Sequence, residues 1–174
     1  MAMIGQPAPE WTSTAYVNGE EKTLSHKDFA GKWYVLYWYP LDFTFVCPTE
    51  IRGFQELIED FQDDGVAVIG ASTDSYFSHK AWFADRDTFS KTITHPVLAD
   101  TNHSVSRAFG VLKEDAGVAF RATVIIDDQG TVRSLSINDL SAGRSPREVL
   151  RTVHALQSGG LCGADWDKGD DFAA

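Results

Sequence analysis

Apolar residues fall along this chain in two rhythms. Trp33-Tyr-Val-Leu-Tyr-Trp-Tyr39 is almost wholly aromatic or aliphatic, the pattern of a strand buried on both faces and therefore central in a sheet. Pro40 ends it, and a loop runs to Val46. From Pro48 the spacing changes: Ile51, Phe54, Leu57, Ile58 and Phe61 recur every three or four positions, which predicts a helix that Gly65 closes. Val66-Ala-Val-Ile-Gly70 is a second buried strand. Asp74 or Ser75 is placed to cap a helix expected to carry Phe77, Ala81, Trp82 and Phe89. A short strand at Val97-Leu-Ala99 and a short helix from Asn102 to Phe109 follow. Two strands, 121–127 and 131–137, then form a hairpin around Asp128-Gln129-Gly130. Pro146 opens a last helix through Val149, Leu150, Val153 and Leu156 to Ser158, and Gly159-Gly160 ends it.

Ahead of the first buried strand, Ala2 to Leu24 reads as an irregular start with a hairpin signal at Asn18-Gly19, and Ser25 to Gly31 as one helical turn. The order strand, helix, strand, helix, strand, helix, hairpin, helix belongs to an α/β protein, with a mixed central sheet covered by helices on both faces. The thioredoxin architecture has this order. With 174 residues and no repeat or linker, the expectation is one domain, 1–174, with a C-terminal tail from about residue 159.

Composition narrows the function classes. Hydrophobic residues at 43% and charged residues at 23% are ordinary for a globular protein. The longest apolar run, Trp33 to Tyr39, is far short of the roughly 20 residues that span a bilayer. A net charge of −10 repels nucleic acid and anionic membranes at long range, so neither is an expected partner. The first residues show no basic start followed by an apolar stretch, which makes the cytoplasm the expected compartment, where thiols stay reduced. His26, His79, His95, His103 and His154 lack metal-ligand spacing, so no metal is expected. No glycine-rich loop matches a phosphate or dinucleotide motif.

Cys47 carries the chemistry. It lies where a buried strand has passed through a loop into a helix, immediately before that helix's first proline. Unpaired N–H groups and the macrodipole favour negative charge there, which favours a reactive thiolate. A buried structural thiol is the competing reading, and position alone does not choose between them. The surroundings do. Pro40-Leu-Asp-Phe-Thr44-Phe-Val-Cys47-Pro-Thr-Glu50 resembles the active-site motif of the peroxiredoxins, and Phe-Thr-Phe-Val-Cys-Pro-Thr-Glu resembles their typical two-cysteine branch. Ser72-Thr-Asp-Ser, His79-Lys-Ala-Trp82, Phe120-Arg121, Ile125-Ile-Asp127 and Gly143-Arg144-Ser145 follow in the family's order. The resemblance thus covers nearly the whole chain, and it looks most like the peroxidase component of bacterial alkyl hydroperoxide reductase.

That resemblance implies a thioredoxin-like fold with an N-terminal extension and a thiol-dependent peroxidase acting on hydrogen peroxide and organic hydroperoxides. It makes Cys47 the attacking thiolate. Thr44 and Arg121 would stabilise charge moving onto the leaving oxygen, together with the Cys47 N–H. Pro40 would shield the sulfur, and Glu50 with Arg144 would orient the site. Taken singly, a loop threonine usually bonds its own backbone and an arginine opening a strand is usually solvated. Cys162, in a polar tail beyond the double glycine, would resolve the Cys47 sulfenic acid of a partner subunit as an intersubunit disulfide. The implied assembly is an antiparallel homodimer, often five dimers in a ring. The implied reductant is a thioredoxin-type protein, a flavoprotein or a small disulfide reductase. No cofactor is implied, because sulfur carries the electrons. Two alternatives stay open: a general thiol–disulfide oxidoreductase, and an oligomeric chaperone or scaffold.

Forming the disulfide requires the first helical turn at Cys47 to unwind, since sulfurs bond only when their Cα atoms lie within about 7 Å. Family members damaged by excess peroxide carry a Gly-Gly-Leu-Gly stretch and a Tyr-Phe tail that slow this motion. Here Asp85 to His95 lacks the former and the chain ends Asp-Asp-Phe-Ala-Ala. Cys47 is therefore expected to resist overoxidation. Mass spectrometry after peroxide titration checks this, and ready sulfinylation of Cys47 at modest peroxide would refute it.

Overall fold

In the computed structural model, which describes all residues 1–174, the hairpin signal near the start is used directly. Strands β1 (Thr12–Val17) and β2 (Glu20–Ser25) pair antiparallel across Asn18-Gly19. Both turn residues have positive φ, 51° and 85°, as a two-residue hairpin turn requires. A 3₁₀ turn (His26–Phe29) leads to β3 (Trp33–Trp38). Helices α1 (Cys47–Glu56) and α2 (Ile58–Asp63) follow, then β4 (Val66–Ser72), α3 (Tyr76–Phe83), β5 (Val97–Ala99) and α4 (Ser104–Phe109). A small hairpin, β6 (Leu112–Lys113) and β7 (Val118–Ala119), precedes β8 (Arg121–Ile126), β9 (Val132–Asn138) and α5 (Pro146–Ser158).

Seven strands form one sheet in the order β2-β1-β5-β4-β3-β8-β9. Pairing is parallel at β3/β4 and β4/β5 and antiparallel elsewhere, so the sheet is mixed. The N-terminal segment differs from expectation. It is not an irregular start, because Ala15 and Tyr16 of β1 pair with β5 and extend the main sheet.

Strand alternation sends β3 side chains into two cores. Val35, Tyr37 and Tyr39 face a cluster that holds Cys47, Ile51 and Phe54 of α1, Phe61 of α2, Trp82 and Phe83 of α3, and Val149 and Val153 of α5. Tyr34, Leu36 and Trp38 face the opposite cluster, with Val105 and Phe109 of α4. Helices therefore cover both faces, and the catalytic candidate lies on the face with more helices.

Three local expectations change. The single helix read from Pro48 to Phe61 is two helices, broken at Leu57, whose backbone (φ −100°, ψ 9°) leaves the helical path. The helix expected to reach Phe89 stops at Phe83, and Phe89 is buried from the following loop. That helix turns Tyr76, His79, Trp82 and Phe83 inward, while Phe77 is exposed. Periodicity reports burial, and a loop residue folded back onto the core gives the same signal as a helical one.

The seat of α1 is tight. A Cβ on Gly53 would lie 2.8 Å from Cγ of Pro146, so only glycine lets the start of α5 close onto α1. That contact brings the loop before α5, with Arg144, up to the first turn of α1. No helix is long and apolar enough to cross a membrane.

Candidate active site

Cys47 is the first residue of α1 and wholly buried, followed by Pro48. Its N–H lies at a position with no intrahelical acceptor. Three residues on, Glu50 turns inward on the same helical face, its side chain only 1% exposed. Arg121 enters from the start of β8. Its Nη1 lies 3.4 Å from the Cys47 Sγ and 2.7 Å from Glu50 Oε2. Its Nε donates to the Leu140 carbonyl at 2.7 Å, which fixes the plane of the fork.

Arg144 approaches from the other side. Its backbone N–H and its Nε both donate to Glu50 Oε1 at 2.9 Å. Nη1 donates to the Ala122 carbonyl at 2.5 Å and Nη2 to the Trp38 carbonyl. The guanidinium also stacks above the Tyr37 ring, 5.3 Å from its centre. Both arginine side chains are only 5% exposed. One carboxylate thus binds two guanidiniums in a nearly dry volume.

The charges matter because burial is unforgiving of an unbalanced ion. Two guanidiniums and one carboxylate leave a surplus positive charge beside the sulfur. A thiolate at Cys47 cancels it, and a thiol does not. Burial works against the charged form of Arg121, but the hydrogen bond to Cys47 and the charges of Glu50 and Cys47 outweigh it and lift the guanidinium above its usual range. Arg121 therefore remains a cation throughout the working pH range.

The sequence candidates do not all meet. Cys47, Glu50, Arg121 and Arg144 form one bonded cluster. Thr44 sits in the loop ahead of α1, and its hydroxyl donates to the Leu41 carbonyl at 2.9 Å rather than to the sulfur. Pro40 is buried where β3 gives way to that loop. Cys162 lies beyond α5, and its thiol is not fully exposed although the tail around it is polar. It is half-buried, its Sγ 3.2 Å from Ser158 Oγ and 3.6 Å from the Ala155 carbonyl. The two cysteines are both free thiols. No group of three or more His, Cys, Asp or Glu residues is placed to hold a metal ion.

The AhpC/TSA family model matches residues 4–135. The chain is a two-cysteine peroxiredoxin of the AhpC/TSA family. Peroxiredoxin prdx-2 of Caenorhabditis elegans is 49% identical, with 98% of this chain and 88% of that protein aligned. The crystal structure of the reduced 2-Cys peroxiredoxin of Plasmodium vivax superposes with a TM-score of 0.92 at 36% identity, covering 98% and 92% of the two chains. Enterococcus faecalis AhpC superposes with a TM-score of 0.86 at 39% identity, covering 91% and 94%. This peroxiredoxin has the thioredoxin-like fold of those structures and is a thiol-dependent peroxidase, and neither alternative class is favoured by the likeness.

Sequence reasoning missed the backbone carbonyls that aim the arginines, those of Leu140, Ala122 and Trp38. A carbonyl is common to every residue, so no side-chain signal marks these three. Tyr37 was legible as core but not as the floor under Arg144. Replacing Glu50 with Ala strands two buried cations. Denaturant unfolding of Glu50→Ala is expected to show a loss of about 3–5 kcal/mol, and a loss close to zero would contradict the buried ion cluster.

Proposed function

We propose that this peroxiredoxin reduces hydrogen peroxide and organic hydroperoxides by two-electron attack of the Cys47 thiolate. The observation that carries the reading is the unbalanced charge around the sulfur, which a thiolate neutralises. The thiolate attacks the terminal oxygen of the hydroperoxide. An S–O bond forms as the O–O bond breaks, and the leaving alkoxide or hydroxide takes up a proton. Cys47 becomes a sulfenic acid and the peroxide becomes an alcohol or water.

Roles follow from donor geometry. The Arg121 Nη2 makes no hydrogen bond to protein and is the donor for the leaving oxygen. The expected donation from Thr44 to the leaving oxygen does not fit, because its hydroxyl proton is spent on the Leu41 carbonyl; toward substrate it accepts instead, from the O–H of the attacked oxygen. The Cys47 N–H adds a donor at the helix start. Pro40 excludes water beside the sulfur. Glu50 and Arg144 hold Arg121 in place and do not touch substrate.

Cys162 completes the cycle. Its thiolate attacks the Cys47 sulfur of a partner subunit, an S–S bond forms and water leaves. A dithiol protein then returns two electrons. Thioredoxin-type proteins, flavoproteins and small disulfide reductases all supply that chemistry. A reducing compartment such as the cytoplasm suits a resting state with two free thiols. Because Cys47 is wholly buried, the first turn of α1 unwinds and the tail leaves α5 before the sulfurs meet.

Self-association fits two surfaces. β9 is an edge strand whose outer side is open past Val132, the residue that bonds to Gly5 and Gln6, a template for a second chain. Phe43, Phe45 and Phe77 are exposed on the loop before α1 and on adjoining α3, with Phe43 against Trp82 at 5.7 Å. The reading is an antiparallel homodimer through the edge, with five dimers closing a ring through the phenylalanines.

Stopped-flow kinetics with hydrogen peroxide and a purified donor test the chemistry. Cys47→Ser should consume no peroxide. Cys162→Ser should consume one equivalent and stall as a sulfenic acid that a dimedone probe traps. Arg121→Lys keeps the charge but loses the fork, and should slow the first step on the order of 10²-fold. Peroxide turnover in Cys47→Ser would overturn the mechanism. Sedimentation velocity checks the assembly: the reduced protein should run well above monomer mass, and Phe45→Asp should shift it to a smaller species.

A further inference from the structure

The loop that carries Thr44 also carries a buried carboxylate to which the mechanism above gives no part. Asp42 lies between Pro40 and Thr44, and its side chain is 1% exposed. Tyr39 Oη donates to its Oδ1 at 2.8 Å. Ser78 Oγ donates to its Oδ2 at 2.7 Å, and His79 Nδ1 lies 2.8 Å from the same oxygen. The other ring nitrogen of His79 faces the Leu98 carbonyl at 3.2 Å. The Asp42 N–H donates to Asp74 Oδ2 at 2.9 Å, and the Ser72 hydroxyl donates to that oxygen at 2.8 Å. One loop residue is thus fastened to the ends of β3 and β4 and to α3, with β5 behind His79. Burial first, and then the Asp42 charge, push the Tyr39 phenol well above its usual range, so it stays a donor.

Such fastening exceeds what a surface loop needs, and the backbone beside it explains why. Phe43 has φ 56°, a left-handed conformation that a bulky side chain adopts only when its surroundings impose it. Asp42 pins the chain immediately before it, and the Thr44-to-Leu41 hydrogen bond closes the chain immediately after it. The Phe43 ring packs on Trp82. Released from Asp42, the loop would relax at Phe43 and carry the Thr44 hydroxyl away from its place ahead of Cys47. A buried carboxylate is costly unless fully hydrogen-bonded. Here it is satisfied at both oxygens, so the cost goes into fixing one conformation.

We infer that Asp42 is a positioning residue for peroxide reduction, its carboxylate between Tyr39, Ser78 and His79 holding the 41–46 loop so that Thr44 meets the hydroperoxide. This rests on the roles given above to Cys47 and Thr44. Asp42 touches neither sulfur nor substrate; it acts through the loop. The variants therefore lose reaction with peroxide and keep the reactivity of the sulfur itself.

Two rate constants on the reduced full-length protein separate these effects. One is the reaction with hydrogen peroxide by stopped-flow fluorescence. The other is alkylation of Cys47 by iodoacetamide, followed by peptide mass spectrometry, which uses the thiolate but needs no bound peroxide. Asp42→Asn should slow the peroxide reaction on the order of 10²-fold, the size of a misplacement effect, with alkylation near the wild-type rate. Thr44→Val should show the same selective loss. The double variant should be no slower than the slower single one, because both remove one contact. Asp42→Asn with wild-type peroxide kinetics, parallel loss of both rates, or fully additive losses in the double variant would overturn the inference. Should Asp42→Asn fail to fold, Ser78→Ala decides: a selective loss supports the inference and an unchanged peroxide rate overturns it. If Thr44→Val reacts at the wild-type rate, the reading of Thr44 itself fails. A slow Thr44→Val beside an unaffected Asp42→Asn removes only the role of Asp42.

Discussion

A single carboxylate shared by two guanidiniums governs this protein. Glu50 draws Arg121 from β8 and Arg144 from the loop before α5 onto the first turn of α1. Taken out of water, the carboxylate attracts both guanidiniums strongly, yet the three charges do not cancel. The remaining positive charge lies beside the Cys47 sulfur. In the proposed mechanism the reactivity of Cys47 follows from this charge balance, and the helix start adds to it.

The rest of the fold serves that balance. β3 supplies Tyr37 as a floor for Arg144 and ends at the Trp38 carbonyl that anchors it. Gly53 lets α5 approach α1 closely enough for Arg144 to reach Glu50. On the far side of α1, Gln55 accepts from Thr94 N–H and faces His95, whose other nitrogen meets the Tyr37 hydroxyl. Burial pushes His95 down to about 3, so this end of α1 is held by neutral hydrogen bonds. The last turn of the helix is thereby fixed to the sheet, while the first turn depends on ions.

The packing that places Cys47 beside Arg121 also hides its sulfur from a second thiol. The fastenings of the tail suit a segment that lets go. Trp166 is buried and stacks on Phe172, but its carbonyl is held by Arg151, and Lys168 reaches Asp64 beside His154. Polar contacts at a wet rim exchange with water at little net cost. Apolar contacts of the kind around α1 do not. In the proposed cycle the tail is thus the less firmly held of the two elements that must move.

The order of residues by itself determined the local quantities: buried strands at 33–39 and 66–70, the Asn18-Gly19 turn, helix starts at prolines, and a cysteine opening a helix. These depend on periodicity and on neighbours a few positions away, so they are written in the string. Family spacing around Cys47 also made Thr44, Glu50, Arg121 and Arg144 legible as a set. Only the tertiary structure decided which of them share a dry volume, because Arg121 and Arg144 lie 71 and 94 positions from Glu50. It also decided that Thr44 spends its proton on Leu41 and that Asp42 is buried among Tyr39, Ser78 and His79. Hydrogen-bond partners are chosen by distances of a few ångströms after packing, and no local pattern carries that information.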